Sequence, residues 1–220
     1  MLYEPGKTDH GLPYDPFKAC VVPRPIGWIS TLSADGVANL APYSQFQNLG
    51  YNPPYVMFSA NQGTGGRKHT VVNVENTGEF VWNMATYALR EAVNICGQDV
   101  PEETDEFELA GLTKAQSHMV KPPRVAESPV HFECAYYSTL RLPGGGPGAS
   151  GSANLVIGRV LCVHIEDDVL MEDGRLDILK LRPLARLGYY DYTSVESIFE
   201  MVIPGEKRRG MEGVTGVQRK

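Results

Sequence analysis

Short runs of strand-forming residues, each closed by a turn containing Gly or Pro, follow one another along this chain without a long amphipathic helix between them. Parallel neighbours need a crossover of a dozen or more residues, usually a helix. A chain without such crossovers is confined to antiparallel pairing. Ile26–Ser33 (IGWISTLS) reads as a strand, and Ala34-Asp35-Gly36 as the tight turn after it, because Asp-Gly accepts the positive φ of hairpins. Val37–Leu40 returns from it. Tyr43–Leu49 and Tyr55–Ala60 form the next pair around a Gly-Tyr-Asn-Pro-Pro turn, and Glu79–Met84 is a further strand. Val130–Leu142 and Ser152–Asp167 are the longest strand candidates, separated by the Gly-rich stretch Pro143–Gly151. Phe17–Val22 carries strand signals too, ahead of an extended Pro23-Arg24-Pro25 kink. Helical spacing is confined to three short segments. They are His69–Asn76 closed by Gly78, Thr86–Cys96 with Thr86 as N-cap and Gly97 as stop, and Glu102–Ala110 closed by Gly111. Pro183–Tyr192 reads as aromatic and irregular. The sum, roughly eight strands and a few short helices, predicts a mainly β protein built as an antiparallel barrel.

The length of 220 residues suits one domain with short additions. We expect an arm over 1–16, the domain over 17–205 and a tail over 206–220. The tail holds five basic and two acidic residues, so a net charge of −6 for the whole chain leaves −9 on the first 205 residues. An acidic body argues against nucleic acid as the main partner. No apolar run approaches the ~18 residues of a membrane span. The first residues lack the pattern of a signal peptide, so the expectation is a soluble cytoplasmic protein with no membrane partner. Cys20, Cys96, Cys134 and Cys162 are scattered, as are the five histidines. Structural zinc uses close Cys or His pairs, so no metal site is expected, and a reducing compartment disfavours disulfides.

The densest candidate chemistry lies between Asn39 and Thr70. Ser44, Ser59 and Thr70 bring hydroxyls, Lys68 brings a charge that strengthens hydrogen bonds to an anion, and a helix begins beside it. Each residue alone reads as a turn cap; the cluster reads as a site for a small phosphorylated ligand. GTGGRKHT lacks the Gly-Lys-Ser/Thr ending of a P-loop and the Gly-x-Gly-x-x-Gly of a dinucleotide fold. GGGPG at 144–148 is a hairpin tip or a lid over a ligand. There is no Gly-x-Ser-x-Gly elbow, and Asp167 and Asp168 sit at a turn where they are solvated. Arg24 has two readings, a grip on an anion or ring edge, and a salt bridge beside the Pro kink. Trp28 is a core residue or a stacking platform. Arg186, Tyr189 and Tyr190 either cover a flat ligand or pack as an aromatic edge.

Several segments, in order, resemble the flavin reductase-like family with an FMN-binding split barrel, in particular reductase components of two-component flavin monooxygenases and flavoredoxins. They are VPRPIGWIST (22–31), NLAPYSQFQNLGYNPPYVMFS (39–59), RKHTVVNV (67–74), EFVWNM (79–84), LVIGRVLCVHI (155–165) and PLARLGYYDY (183–192). The resemblance implies FMN as cofactor, with Pro42, Tyr43, Ser44 and Gln45 along its ring and ribityl chain and Phe46 turned into the core. Ser59, Lys68 and Thr70 then serve the phosphate, with Asn61 and His69 beside them. Arg24, Trp28, Arg186 and Tyr189 complete the expected set near the flavin. Gln45 stands where simpler reductases often have Ser. The resemblance also implies NADH or NADPH as electron donor and no catalytic residue of the protein's own, since the flavin carries the chemistry. It further implies a homodimer with FMN at the subunit interface and a flavin-dependent monooxygenase as possible partner. The alternatives are an electron-transfer flavoprotein of flavoredoxin type and a ligand-binding barrel that has lost flavin.

Overall fold

The computed structural model describes residues 1–62, 66–144 and 153–201. Among them run twelve strands: β1 (Arg24–Pro25), β2 (Gly27–Leu32), β3 (Ala38–Tyr43), β4 (Phe46–Tyr51), β5 (Pro54–Asn61), β6 (Glu79–Met84), β7 (Lys114–Ala115), β8 (Arg124–Val125), β9 (Val130–Leu142), β10 (Ala153–Ile165), β11 (Leu184–Gly188) and β12 (Asp191–Ser194). The helices are α1 (Phe17–Cys20), α2 (His69–Thr77), α3 (Arg90–Ile95), α4 (Glu106–Leu109) and α5 (Ile178–Leu181). None is long and apolar enough to cross a membrane.

Seven strands form one sheet in the order β3-β2-β6-β9-β10-β5-β4, with antiparallel neighbours throughout. β3 and β4 stand at its opposite edges, yet Ser44 and Gln45 alone separate them in the chain. The sheet therefore has to curl until its edges meet. The Ser59 amide donates to the Gln45 carbonyl at 2.8 Å, which extends the β4–β5 pairing into the connection. The concave side holds the main core, including Phe46, Phe58, Phe80 and Trp82. Phe46 stacks on Trp82 with ring centroids 5.3 Å apart and does turn inward as expected. Phe58 meets the Phe80 ring edge-on at 5.6 Å. Burial of each such ring contributes roughly 1.5–3 kcal/mol. β1, β11 and β12 form a separate three-stranded sheet, and β7 pairs with β8.

Four sequence expectations are corrected. Phe17–Val22 is not a strand: Phe17–Cys20 is one helical turn, with the Asp15 carboxylate accepting from the Phe17 amide at 3.0 Å. Pairing starts at Arg24. The strand break expected before Tyr43 falls after it, because β3 is an edge strand where Pro42 costs no ladder bond. Thr86 gives α3 no side-chain cap; a 3₁₀ turn over Tyr87–Leu89 intervenes. Pro183–Tyr192 is regular rather than irregular, forming β11 and the start of β12 around Gly188 at φ 107° and Tyr189 at φ 48°. The 145–152 part of the hairpin tip, Gly63–Gly65 of the Gly-rich loop and the basic tail over 206–220 lie outside the described residues.

α2 is the element that positions the site. It begins after extended Lys68 and stops at Gly78, whose left-handed φ of 77° lets its N–H reach the Val74 carbonyl at 2.9 Å. Its buried face is Thr70, Val71, Asn73 and Val74, packed on β2, β3 and β6. On its outer face Glu75 accepts bonds from Arg67 and, at 3.1 Å, from Arg141 of β9. Burial acts to raise the Glu75 carboxyl, but the bonds from Arg67, Thr139 and Arg141 outweigh it and hold the group below the usual carboxylate range. A carboxyl depressed in the folded state stabilises the fold above its unfolded value, and that stability is lost as pH falls through the folded value. Glu75→Gln should therefore cost about 1–2 kcal/mol at pH 7. In urea melts the gap between variant and wild type should close below about pH 4; a gap independent of pH would contradict this clamp.

Candidate functional site

A cleft opens where the end of β3, the start of α2 and the segment after α3 converge. Ala41, Pro42 and Tyr43 form one wall, Lys68, His69 and Thr70 the second, and residues 96–100 the third, with Asn39 and Glu106 at the base. The cleft's volume is about 100 Å³. That is below the ~300–1,000 Å³ of pockets that enclose small-molecule ligands. A larger ligand would fit here by one end only.

The mouth of the cleft holds a cation paired with a carboxylate. Lys68 is half-exposed, and its Nζ lies 3.1 Å from Asp99 Oδ1, a carboxylate almost fully in solvent. Such an exposed pair is worth little and is readily exchanged for another anion. The Val71 and Val72 amides bond back to the Lys68 carbonyl, whereas the His69 and Thr70 amides, ahead of them, belong to the turn that a helix leaves without internal partners. The helix dipole adds positive potential there.

The base of the cleft is a buried polar network. Thr70 Oγ1 donates to Asn39 Oδ1 at 2.7 Å, and Thr31 Oγ1 does so at 3.3 Å. Asn39 Nδ2 donates to Glu106 Oε1 at 2.7 Å, and the Leu40 amide to Glu106 Oε2 at 2.9 Å. Asn73 Nδ2 donates to Thr31 Oγ1 at 3.1 Å. Burial raises the Glu106 carboxyl, while the Leu40 amide and Asn39 pull it back. Tyr43 packs its ring 5.0 Å from that of Phe58, and burial raises its phenol above the ordinary range. Cys96 is inert as a nucleophile: burial pushes its thiol up to about 12.

The structure thus brings Pro42, Tyr43, Lys68, His69 and Thr70 together. It changes the part of Thr70, whose buried hydroxyl gives its proton to Asn39. The Thr70 hydroxyl hydrogen is therefore not free for an anion. Ser44 and Gln45 form the connection between β3 and β4, Ser59 and Asn61 end β5, and none of the four lines the cleft. Trp28 is fully buried among Ile26, Leu40, Val93 and Phe107, so stacking on a ligand is corrected to core packing. Arg24 is neither an anion grip nor an ion pair; its Nη1 donates to the carbonyls of Lys18 and Val21 and pins α1. Arg186 is likewise spent within its hairpin, bonded to the Tyr192 hydroxyl and the Tyr189 carbonyl. Tyr190 lines a different hollow, of about 450 Å³, with Tyr87, Leu184 and Tyr192. α3 lies between the two, since Arg90, Val93 and Asn94 face that hollow while Cys96 and Gly97 border the cleft. Among the described residues no group of three or more His, Cys, Asp or Glu could hold a metal ion.

Residues 19–192 match the model of the flavin reductase like domain. The chain belongs to the flavin reductase-like family. An uncharacterised protein of Aquifex aeolicus is 40% identical over 193 residues, covering 86% of this chain and 94% of the relative. Nitrilotriacetate monooxygenase component B from Bacillus cereus superposes with a TM-score of 0.83 at 30% identity, covering 91% of this chain and 98% of that one. Flavoredoxin of Desulfovibrio vulgaris shares the fold, with a TM-score of 0.72 at 20% identity over 91% of this chain and all, 100%, of its own. The curled antiparallel sheet is thus the split barrel of this family.

Asn39, Asp99 and Glu106 escaped the sequence reading. Asn39 sits inside a strand-like run and Glu106 in an acidic stretch, where both pass for solvated residues. Asn39 and Glu106 are each other's partners across 67 residues of chain. The signal available was Asp105, whose carboxylate caps α4 by accepting from the Phe107 amide at 3.0 Å and thereby marks Glu106 as the first helical residue.

Proposed function

We propose that this chain is an FMN-binding flavoprotein that takes electrons from NADH or NADPH and passes them to flavin. The observation that carries the reading is the cleft itself: one cation and the open first turn of α2, set beside the Pro42–Gln45 segment, within a flavin reductase-like domain. The residues fit a phosphate through Lys68 and the His69 and Thr70 amides. They do not fit it through the Thr70 hydroxyl. The small volume suits anchoring of the phosphate, with the remainder of the cofactor lying along Ser44, Gln45, Ser59 and Asn61 at the barrel's join. When bound, FMN supplies the two-electron chemistry. The chain's own residues hold it, orient it and shield one side.

A homodimer belongs to the same proposal. Leu49, Tyr51, Tyr137, Leu140, Leu161 and Val163 are exposed on β4, β9 and β10, and apolar patches of this kind mark protein contacts. A flavin-dependent monooxygenase that consumes reduced flavin is the partner this activity suits.

The test is a steady-state assay of NADH and NADPH oxidation with FMN added. Flavin-dependent oxidation supports the reductase. Tight FMN binding with negligible oxidation of either nucleotide would replace it by an electron-transfer flavoprotein. Neither binding nor oxidation would leave a barrel without flavin.

A further inference from the structure

Of the two acids on the cleft wall, Asp99 is exposed and Glu106 is buried. We infer that Glu106 is a positioning residue: through Asn39 and Thr70 it fixes the first turn of α2, and so sets the cleft's preference for phosphorylated over unphosphorylated flavin. The inference rests on the flavin-phosphate reading above and adds the residue that makes the anchor rigid.

The hydrogen bonds run in one direction. An ionised carboxylate accepts and cannot donate. Asn39 must therefore turn Nδ2 toward Glu106, which leaves Oδ1 for the hydroxyls of Thr31 and Thr70. Thr70 is tied to β3 by this route. Asn73, three residues on and on the same helix face, is tied to β2 through Thr31. Two ties spaced along one helix face fix both its position and its rotation. The Leu40 amide bonds the second carboxylate oxygen, so strand, helix α2 and helix α4 are locked around a single group. All of these side chains except that of Leu40 are polar and buried, where an unmet donor costs about 1–3 kcal/mol. The network thus has one low-energy arrangement, and in it Lys68 and the first-turn amides are set at the cleft mouth.

Glu106→Gln breaks the directionality. Gln presents one acceptor and one N–H₂ to two donors, Asn39 Nδ2 and the Leu40 amide. One is left unmet, or Asn39 rotates and the Thr70 bond must reverse, with the hydroxyl accepting from Nδ2 in place of donating to Oδ1. The experiment measures dissociation constants for FMN and riboflavin by flavin fluorescence, with melting temperature as a second readout. Wild type should prefer FMN. Glu106→Gln should weaken FMN binding about tenfold and riboflavin binding less than about twofold. Glu106→Asp, which keeps the charge and shortens the reach, should shift the ratio in the same direction but less, and it decides the matter if the Gln variant does not fold. Val156→Ala, a core truncation on β10, should lower the melting temperature and leave the FMN/riboflavin ratio unchanged. A wild-type ratio in both Glu106 variants, or an equal change of ratio in Val156→Ala, overturns the positioning role while the phosphate reading stands. Equal affinity of wild type for FMN and riboflavin overturns both.

Discussion

Lys68→Ala should weaken FMN binding by about 10–100-fold, the loss of one charge-assisted hydrogen bond of about 1.5–3 kcal/mol. Riboflavin, which has no phosphate, should bind the variant nearly as it binds wild type. The effect has two parts. The ammonium is the cation on the cleft wall that already holds a carboxylate, Asp99, at 3.1 Å. Removing it deletes the attraction and also leaves Asp99 facing the incoming phosphate unopposed. Asp99→Asn alone should therefore tighten FMN binding slightly, since the competing internal anion is gone. Asp99→Asn should improve FMN binding more in the Lys68→Ala background than in wild type, and that difference is the coupling energy a double-mutant cycle measures. Strict additivity would mean that the two side chains do not meet in solution. Unchanged FMN affinity in Lys68→Ala would remove the phosphate from this cleft.

Gly158→Ala should lower stability by about 1–3 kcal/mol, as overpacked core positions do, and melting temperature by a few degrees per kcal/mol in a domain of this size. A Cβ at Gly158 would lie 2.3 Å from the Cε1 and Cζ atoms of Phe80 and 3.3 Å from the Ala135 carbonyl oxygen. The Phe80 ring is fully buried and set edge-on against Phe58, so it has little room to retreat. Gly158 also marks a register shift between β9 and β10, and glycine there lets the ring seat against bare backbone. Phe80→Leu should be destabilising in wild type but partly compensating in the Gly158→Ala background, read by thermal or urea melts. Full additivity would show that the clash is relieved elsewhere.

The parts of the fold written locally were the legible ones. Ala34-Asp35-Gly36 declares a hairpin by its own chemistry, and the turn at Asn52 and Pro53 does the same between β4 and β5. Gly78 declares the end of α2. The β11–β12 hairpin was missed because Tyr189, rather than Gly or Asn, takes the positive φ after Gly188. The end of β3 was misplaced because a proline inside a strand is a stop signal except on an edge, and whether a strand is an edge depends on the whole sheet. The site divides in the same way. Lys68, His69 and Thr70 are contiguous and start a helix, so their joint presence at one cleft was readable. That Thr70 spends its hydroxyl proton inward was not, since Asn39 and Glu106 come from other elements. Trp28 and Arg24 carry the side chains of a ligand platform, but packing assigns one to the core and the other to the backbone carbonyls of α1.

The central claim is that the cleft between β3 and α2 anchors the phosphate of FMN. Its most direct test is a titration of the purified wild-type protein with FMN and with riboflavin at low and high salt. FMN should bind saturably and more tightly than riboflavin, with the difference shrinking as salt screens Lys68 and the helix end. No FMN binding, or FMN and riboflavin binding alike at every salt concentration, would contradict it.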